Sequence, residues 1–348
     1  MELWQRLLQA DLSAADWQHL ETQTLADRRR ADAFGITPTN VTDSLRARST
    51  LLRLVYPQVA QFCQQRFAVS PSLWQTTLWQ FWLPLALWLA AQRQASNRPL
   101  VLGVLGGQGS GKTTLGRVLS LILQALQYRT LSLSLDDLYK TYADRQQLRA
   151  ADPRLLWRGP PGTHDVDLGI QVLDQLRHPH PDQPIALPRF DKSLHQGSGD
   201  RTSPELVEAA DIILFEGWFV GTRPVPDGCF DQAPAPIFTP ADRCFARDMN
   251  RALAAYQPLW QRCDRLLVLH PIEYRWSLRW RQQAEREMVA GGKPGMSDRE
   301  IERFVEYFWK ALHPELFIHP LVHRTDGADL VVDLDIDHIP QAIYRSGC

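Results

Sequence analysis

The sequence predicts an α/β fold: a parallel sheet covered by helices on both faces, with an N-terminal helical extension and a helical lid. Three observations lead there. An apolar run, Leu100 to Leu105, enters a glycine loop, Gly106-Gly107-Gln108-Gly109-Ser110-Gly111-Lys112-Thr113, and leaves it through a helix-like run, Thr114 to Leu123. Strand, glycine loop and helix are the context in which GxxxxGK[ST] forms a phosphate-binding P-loop. From Pro99 onward short apolar runs alternate with helical ones, the pattern of a helix-covered parallel sheet. Three of the strands end in phosphate-binding or acidic residues, at the edge where such sheets bind ligands.

Residues 1–95 read as a helical region packed on the domain that follows, residues 96–348. Leu3, Trp4, Leu7 and Leu8 begin one helix; Leu51, Leu52, Leu54, Val55 and Val59 form the stripe of another, with Thr39 or Asn40 as its cap. Trp74, Leu78, Trp79, Trp82, Leu85, Leu87 and Trp88 predict a strongly apolar helix packed across the following domain. After the P-loop strand, Arg129–Leu135 predicts a second strand ending in Asp136-Asp137-Leu138-Tyr139. Residues 140–184 are polar and proline-rich, with a helical run at Leu168–Leu176. Asp211–Phe215 predicts a third strand, closed by Glu216-Gly217; Asp264–Leu269 a fourth; Asp329–Asp333 a short last one. Between the last two lies the predicted lid, residues 272–296, with a charged helix Tyr274–Met288. A second helix follows, Asp298–Leu312, where Ser297 and Glu300 make a capping box.

The chain has 348 residues, 44% hydrophobic and 22% charged, with a net charge of −1. Nothing in that balance suggests a nucleic-acid or membrane partner, so an anion site must be built locally. The five cysteines (Cys63, Cys229, Cys244, Cys263, Cys348) are scattered without metal-ligand spacing. Their odd number argues against a disulfide framework and for a reduced, cytoplasmic setting. The first residues lack a signal-peptide pattern. The apolar stretch Trp79–Ala91 contains Pro84 and is too short to span a bilayer. Most of the twelve tryptophans are expected in the core.

Each part of the loop has a chemical task. Gly106 through Gly111, with Lys112, Thr113 and Thr114, would curl main-chain N–H groups around the phosphates of ATP. The helix that starts there adds its positive dipole end. Lys112 would reach the β- and γ-phosphates, and the Thr113 hydroxyl would ligate Mg²⁺. Phosphoryl transfer to an alcohol needs one carboxylate to orient the hydroxyl and take its proton, and another near the metal. Asp136 is the candidate for the first and Glu216 for the second; Asp137 fits a cap on the following turn better than direct chemistry.

Three clusters are candidates for the acceptor side and the lid. Arg158-Gly159-Pro160-Pro161-Gly162-Thr163-His164-Asp165 is a tight turn bearing a cation, an imidazole and a carboxylate. Pro188-Arg189-Phe190-Asp191-Lys192-Ser193 alternates in charge and leads to Gly197-Ser198-Gly199-Asp200-Arg201. Loops of this composition are either binding loops or solvated surface. Arg275, Arg279, Arg281 and Arg286 sit on one charged helix, either a solvated face or a lid that neutralises developing phosphoryl charge. Arg279 and Arg281 face different sides of a regular helix, so one can meet phosphate while the other anchors.

The P-loop, the DDLY strand end, RGPPGTHD, PRFDKSLHQGSGDR, LFEGWFVG, RWRQQAE and GMSDREIERFVEYF together resemble the plant-type D-glycerate 3-kinases. That family lies within the wider group of phosphoribulokinase, uridine kinase and pantothenate kinase. The likeness runs from about Phe34 to Asp337 and is weakest over residues 1–33 and Pro224–Pro240. It implies transfer of the ATP γ-phosphate to the 3-hydroxyl of D-glycerate. It implies Asp136 as base, Glu216 as the acid of the FEG motif and Arg279 and Arg281 as lid arginines. It places Tyr139, Arg158, His164, Asp165, Arg189, Asp191 and Lys192 on the acceptor side. Two other readings stay open: a kinase for another small acceptor, such as a nucleoside, sugar phosphate or pantothenate-like molecule, and a regulatory nucleotide-binding protein that uses its Trp-rich helices to bind a partner.

Overall fold

The computed structural model describes residues 3–66, 70–180, 183–292 and 295–347. Lys293 and Pro294 of the expected lid region, and Cys348, lie outside the described residues. In chain order the described strands are β1 (Leu100–Gly106), β2 (Thr130–Ser134), β3 (Ile185–Leu187), β4 (Phe190–Asp191), β5 (Asp200–Arg201), β6 (Glu205–Val207), β7 (Ile212–Gly217), β8 (Arg265–Pro271), β9 (Leu330–Leu334) and β10 (Pro340–Tyr344). Six of them form the central sheet in the order β10-β9-β8-β1-β7-β2. Its pairings are parallel except for β10, which runs antiparallel to β9 at one edge. Two small hairpin-like sheets, β3 with β6 and β4 with β5, form the loop region between β2 and β7.

Strand side chains alternate between two cores, as a period of two requires. Leu100, Leu102, Val104, Ile212 and Leu214 join one cluster; Val101, Ile213 and Phe215 join the other. The P-loop helix, Lys112–Ala125, covers the first face with Leu115, Val118, Leu119 and Ile122. Outside it lie the N-terminal helices, whose Leu52, Val55, Phe81, Leu85 and Leu89 belong to the same cluster. The other face is covered by helices Val166–Arg177, Pro240–Leu253 and Asp298–Ala311. Each fully buried aliphatic side chain in these layers stabilises by about 1.5–3 kcal/mol relative to exposure.

The fold departs from the sequence expectations in several places, among them helix Tyr142–Ala151 and strands β3 to β6 in stretches read as loop. The Trp-rich helix is divided into Pro71–Thr77, a π-turn at Leu78–Trp82, and Leu83–Gln94. Pro84 has no N–H and its ring crowds the carbonyl four residues back, so the helix widens and the Leu83 amide bonds to Leu78 O. Helix Pro240–Leu253 was not anticipated, although Thr239 and Asp242 cap it reciprocally and Pro240 sits in its first turn. Strand β10 was not anticipated either; its run begins with Pro340 and Gln341, as an edge strand tolerates. Asn40 stands before helix Val41–Arg66, but its side-chain oxygen accepts from the Thr37 amide in the preceding turn.

Candidate active site

The parallel register places the chemistry at one edge. Glu216 lies beside Val104 of β1 and Ser134 of β2, so the ends of three strands meet around the glycine loop. Gly109 (φ +76°) and Gly111 (φ +87°) adopt the left-handed conformation that turns the loop into the helix. At Gly106 an added Cβ would lie 2.4 Å from Ser110 Oγ, so a side chain there would displace the Ser110 hydroxyl that closes the loop. Lys112 Nζ donates to the carbonyls of Gly106 (2.7 Å) and Gly107 (2.9 Å), which holds the ammonium inside the loop. Burial pulls the Lys112 amine below the ordinary lysine value, against the upward pull of the Glu216 and Asp136 charges.

The two expected metal ligands touch. Thr113 Oγ1 donates to Glu216 Oε1 at 3.2 Å. Burial raises the Glu216 carboxyl above its ordinary value, while Lys112 and the Thr113 hydroxyl oppose the rise. Two hard oxygen donors beside a phosphate cradle suit Mg²⁺, which takes one or two protein oxygens and fills its shell with phosphate and water. Among the described residues no group of three or more His, Cys, Asp or Glu side chains is placed to hold a metal by itself.

Asp136 lies in the 3-10 turn Leu135–Leu138 that follows β2. Its Oδ2 accepts from Lys192 Nζ at 2.6 Å. Burial pushes this carboxyl up, but the Lys192 charge and hydrogen bond, with Tyr139, outweigh it and leave Asp136 below the usual range. Asp136 is therefore ionised at neutral pH, as a proton acceptor must be. Asp137 caps the same turn, its Oδ2 accepting from the Ser134 amide at 3.1 Å and from Arg189 at 3.0 Å.

The acceptor-side candidates separate into two groups. Tyr139 is buried and stacks on His164 at 4.6 Å between ring centroids. His164 Nδ1 is 2.8 Å from the Tyr256 hydroxyl, and burial pulls its pKa down to about 3, so the ring is neutral. Arg158 lies over the rings of Tyr139 and Phe190 and donates through Nη1 to Gly197 O at 2.7 Å. Its guanidinium has no carboxylate partner among the described residues. The other candidates are tied up locally. Arg189 is shared between Asp137 and Glu205. Asp165 caps helix Val166–Arg177 and pairs with Arg201 at 2.9 Å. Asp191 accepts from the Ser193 amide and hydroxyl, a turn of its own.

The helix of the expected lid region, Trp276–Ala290, docks directly on the glycine loop. An added Cβ on Gly109 would lie 2.6 Å from Trp280 Cβ. Trp280 donates its indole N–H to Ile336 O at 2.7 Å and stacks on His338, whose Nε2 bonds Gly109 O at 2.7 Å. The two arginines expected on the lid point to different surroundings, as their spacing requires. Arg281 pairs with buried Glu285 at 2.5 Å and faces Phe304, an anchoring position. Arg279 is exposed, with no ion pair among the described residues. Sequence reasoning missed Tyr256, Arg145 and His338. Tyr256 meets His164 across 92 positions, a distance no local pattern reveals. Arg145, whose guanidinium binds the Ser198 and Gly199 carbonyls, was similarly invisible.

No protein-family model matches the chain. It is 30% identical over 284 residues to the chloroplastic D-glycerate 3-kinase of Arabidopsis thaliana, covering 76% of this chain. The match spans only 60% of that relative's length. It is 34% identical over 230 residues to the kinase mug58 of Schizosaccharomyces pombe, covering 63% of this chain and 82% of the relative. Among solved structures, a D-glycerate 3-kinase from Cryptococcus neoformans var. grubii aligns with a TM-score of 0.66 at 28% identity, over 79% of this chain and 99% of that one.

Proposed function

This chain belongs to the P-loop kinase family of the D-glycerate 3-kinases, and we propose that it transfers the γ-phosphoryl group of ATP to the 3-hydroxyl of D-glycerate, yielding 3-phosphoglycerate and ADP. The observation that carries the reading is the convergence of Asp136 and Glu216, at the ends of neighbouring strands, on Lys112 of the glycine loop, where Lys112 and Glu216 each feel the other's charge and that of Asp136. Such a site positions groups and neutralises charge, which is most of what phosphoryl transfer asks of a protein.

In this reading the glycine loop, Gly106 to Thr114, wraps the phosphates with main-chain N–H groups. Lys112 leaves its two carbonyl partners to neutralise the β- and γ-oxygens. Thr113 and Glu216 would hold Mg²⁺, which would supply positive charge to the phosphate oxygens. Asp136 aligns the acceptor hydroxyl and takes its proton as the oxygen attacks. Lys192, held on Asp136 at 2.6 Å, keeps that carboxylate ionised and adds positive field near the incoming phosphoryl group.

Glycerate also carries a carboxylate, for which a guanidinium fork is the natural partner. Arg158 is suited to it, because its fork stands over an aromatic floor and has no competing carboxylate. Arg189 has two such competitors. Neutral His164, stacked on Tyr139, shapes that floor without adding charge. Arg279, on the exposed side of the lid helix, closes over the transferring group while Arg281 anchors the lid. The test is ADP release across a panel of acceptors: D-glycerate, nucleosides, sugar phosphates and pantothenate. Fast release with D-glycerate alone supports the proposal; preference for another acceptor, or release without any, overturns it.

A further inference from the structure

Strands β4 and β5 are joined by residues 192–199, which are exposed except for Gly199. Positive φ angles recur along this loop: His195 (+50°), Gln196 (+55°), Gly197 (+89°) and Gly199 (+69°). At His195 and Gln196 such a backbone persists only where the surroundings over-determine it. Those surroundings are helix Tyr142–Ala151 and the ring of Phe190. His195 stacks on Tyr142 at 4.0 Å between ring centroids, and its Nε2 lies 3.2 Å from Asp200 Oδ2. Gly199 is packed so closely on Phe190 that an added Cβ would lie 2.3 Å from Cε1 of that ring.

The carbonyls at the end of the loop meet two guanidinium groups. Gly197 O accepts from Arg158 Nη1 at 2.7 Å, and Ser198 O accepts from Arg145 Nη1 at 2.7 Å. Gly199 O accepts from Arg145 Nη2, and Arg145 Nε donates to Lys140 O at 3.0 Å. Both guanidiniums stand over Phe190, Arg145 at 5.1 Å and Arg158 at 5.5 Å from its centroid. Neither has an ion pair among the described residues. Burial and the Arg158 charge pull Arg145 below the ordinary guanidinium value, with Asp200 the first charge to oppose them. Two like charges on one ring repel, and the loop's carbonyl dipoles offset part of that repulsion. The two arginines differ in what they leave open. Arg145 commits Nε and both Nη nitrogens to main-chain carbonyls, whereas Arg158 commits only Nη1 among the described residues.

We propose that Arg145 is a positioning residue for acceptor binding: by fixing the Ser198 and Gly199 carbonyls it sets the Gly197 carbonyl, and with it the direction in which Arg158 presents its open edge to the acceptor carboxylate. The inference rests on the reading of Arg158 as the carboxylate clamp. Arg145 itself does not touch the acceptor; it acts through the loop. A clamp held in place before the substrate arrives loses less freedom on binding, which is the gain from building it this way. Lys192 stands at the other end of the loop, next to β4, so its contact with Asp136 does not pass through Arg145.

ADP release over a D-glycerate titration tests it, with Arg145→Gln, Arg145→Lys, Arg158→Gln and the double variant Arg145→Gln/Arg158→Gln, each checked for folding by its melting curve. Arg145→Gln should raise the glycerate KM about tenfold, as a misplaced binding group does, with kcat and ATP affinity within about threefold of the parent. Arg145→Lys should recover part of the loss, because an ammonium cannot hold two carbonyls in the geometry of a fork. In the Arg158→Gln background, Arg145→Gln should lower kcat/KM by less than about twofold, since residues that act through one another are not additive. A parent-like KM in Arg145→Gln beside a raised one in Arg158→Gln would overturn the proposal and leave the clamp reading standing. A parent-like KM in both would remove the clamp, and the proposal with it. Effects that multiply in the double variant, or a loss confined to kcat, would give Arg145 a role independent of Arg158 and also overturn it.

Discussion

Replacing Arg158 by glutamine removes the guanidinium fork from the acceptor side while leaving a polar side chain of comparable reach. In the folded protein the substitution loses one hydrogen bond, Nη1 to Gly197 O at 2.7 Å, and the cation's position over Tyr139 and Phe190. One neutral-acceptor hydrogen bond contributes about 1 kcal/mol, so the fold should survive. The loss with substrate is larger. A charge-assisted fork on a carboxylate is worth about 2–3 kcal/mol in a half-buried position, or roughly 30- to 150-fold in kcat/KM. The carboxylate is held alike before and during transfer, so the loss should appear in the KM for D-glycerate with kcat within about threefold. Arg158→Lys should recover only part, because an ammonium cannot make the paired contact. Coupled ADP release over a glycerate titration measures both constants. A glycerate KM within twofold of the parent would refute the assignment, as would a fall in kcat with KM unchanged.

Asp136→Asn keeps the shape and removes the proton acceptor; turnover should fall about 10²- to 10⁴-fold while ATP affinity measured by titration stays within about threefold. Turnover like the parent's would remove Asp136 as the base. Lys192→Met tests the electrostatics with a definite sign. Burial raises the Asp136 carboxyl, and Lys192 is the first of the groups that together outweigh it. Without the lysine the folded pKa rises, the base is protonated at higher pH, and the acid limb of kcat/KM moves upward. A limb that stays or moves to lower pH contradicts this. On the lid, Arg281→Ala leaves Glu285 buried and unpaired, at 3% exposure; breaking such a pair costs about 3–5 kcal/mol, visible in the denaturant midpoint. Arg279→Ala should leave that midpoint in place and lower kcat; the opposite pattern would exchange their roles.

Much of this site was readable before folding because its parts are local. The glycine loop declares itself by flanking strand and helix, and Asp136 and Glu216 follow apolar runs whose strands β2 and β7 lie within a residue or two of expectation. The choice among acceptor-side residues was not readable, because it depends on who else pairs. Arg158 and Arg189 look equivalent in sequence; only the positions of Asp137 and Glu205 distinguish them. Asp165 reads as a binding carboxylate until the helix it caps is visible. The contact of Trp280 and His338 with Gly109 joins segments far apart in the chain and has no local signature. Helix Pro240–Leu253 is a different case, since the Thr239–Asp242 box that caps it was present in the sequence.

The central claim is that a carboxylate beside the glycine loop directs an acceptor hydroxyl onto the terminal phosphorus of ATP. The most direct measurement is ³¹P NMR of the full chain with Mg·ATP and D-glycerate. It should show 3-phosphoglycerate and ADP accumulating in equal amounts, with no inorganic phosphate. ADP and free phosphate without phosphoglycerate, or a phosphate carried on the 2-hydroxyl, would contradict it.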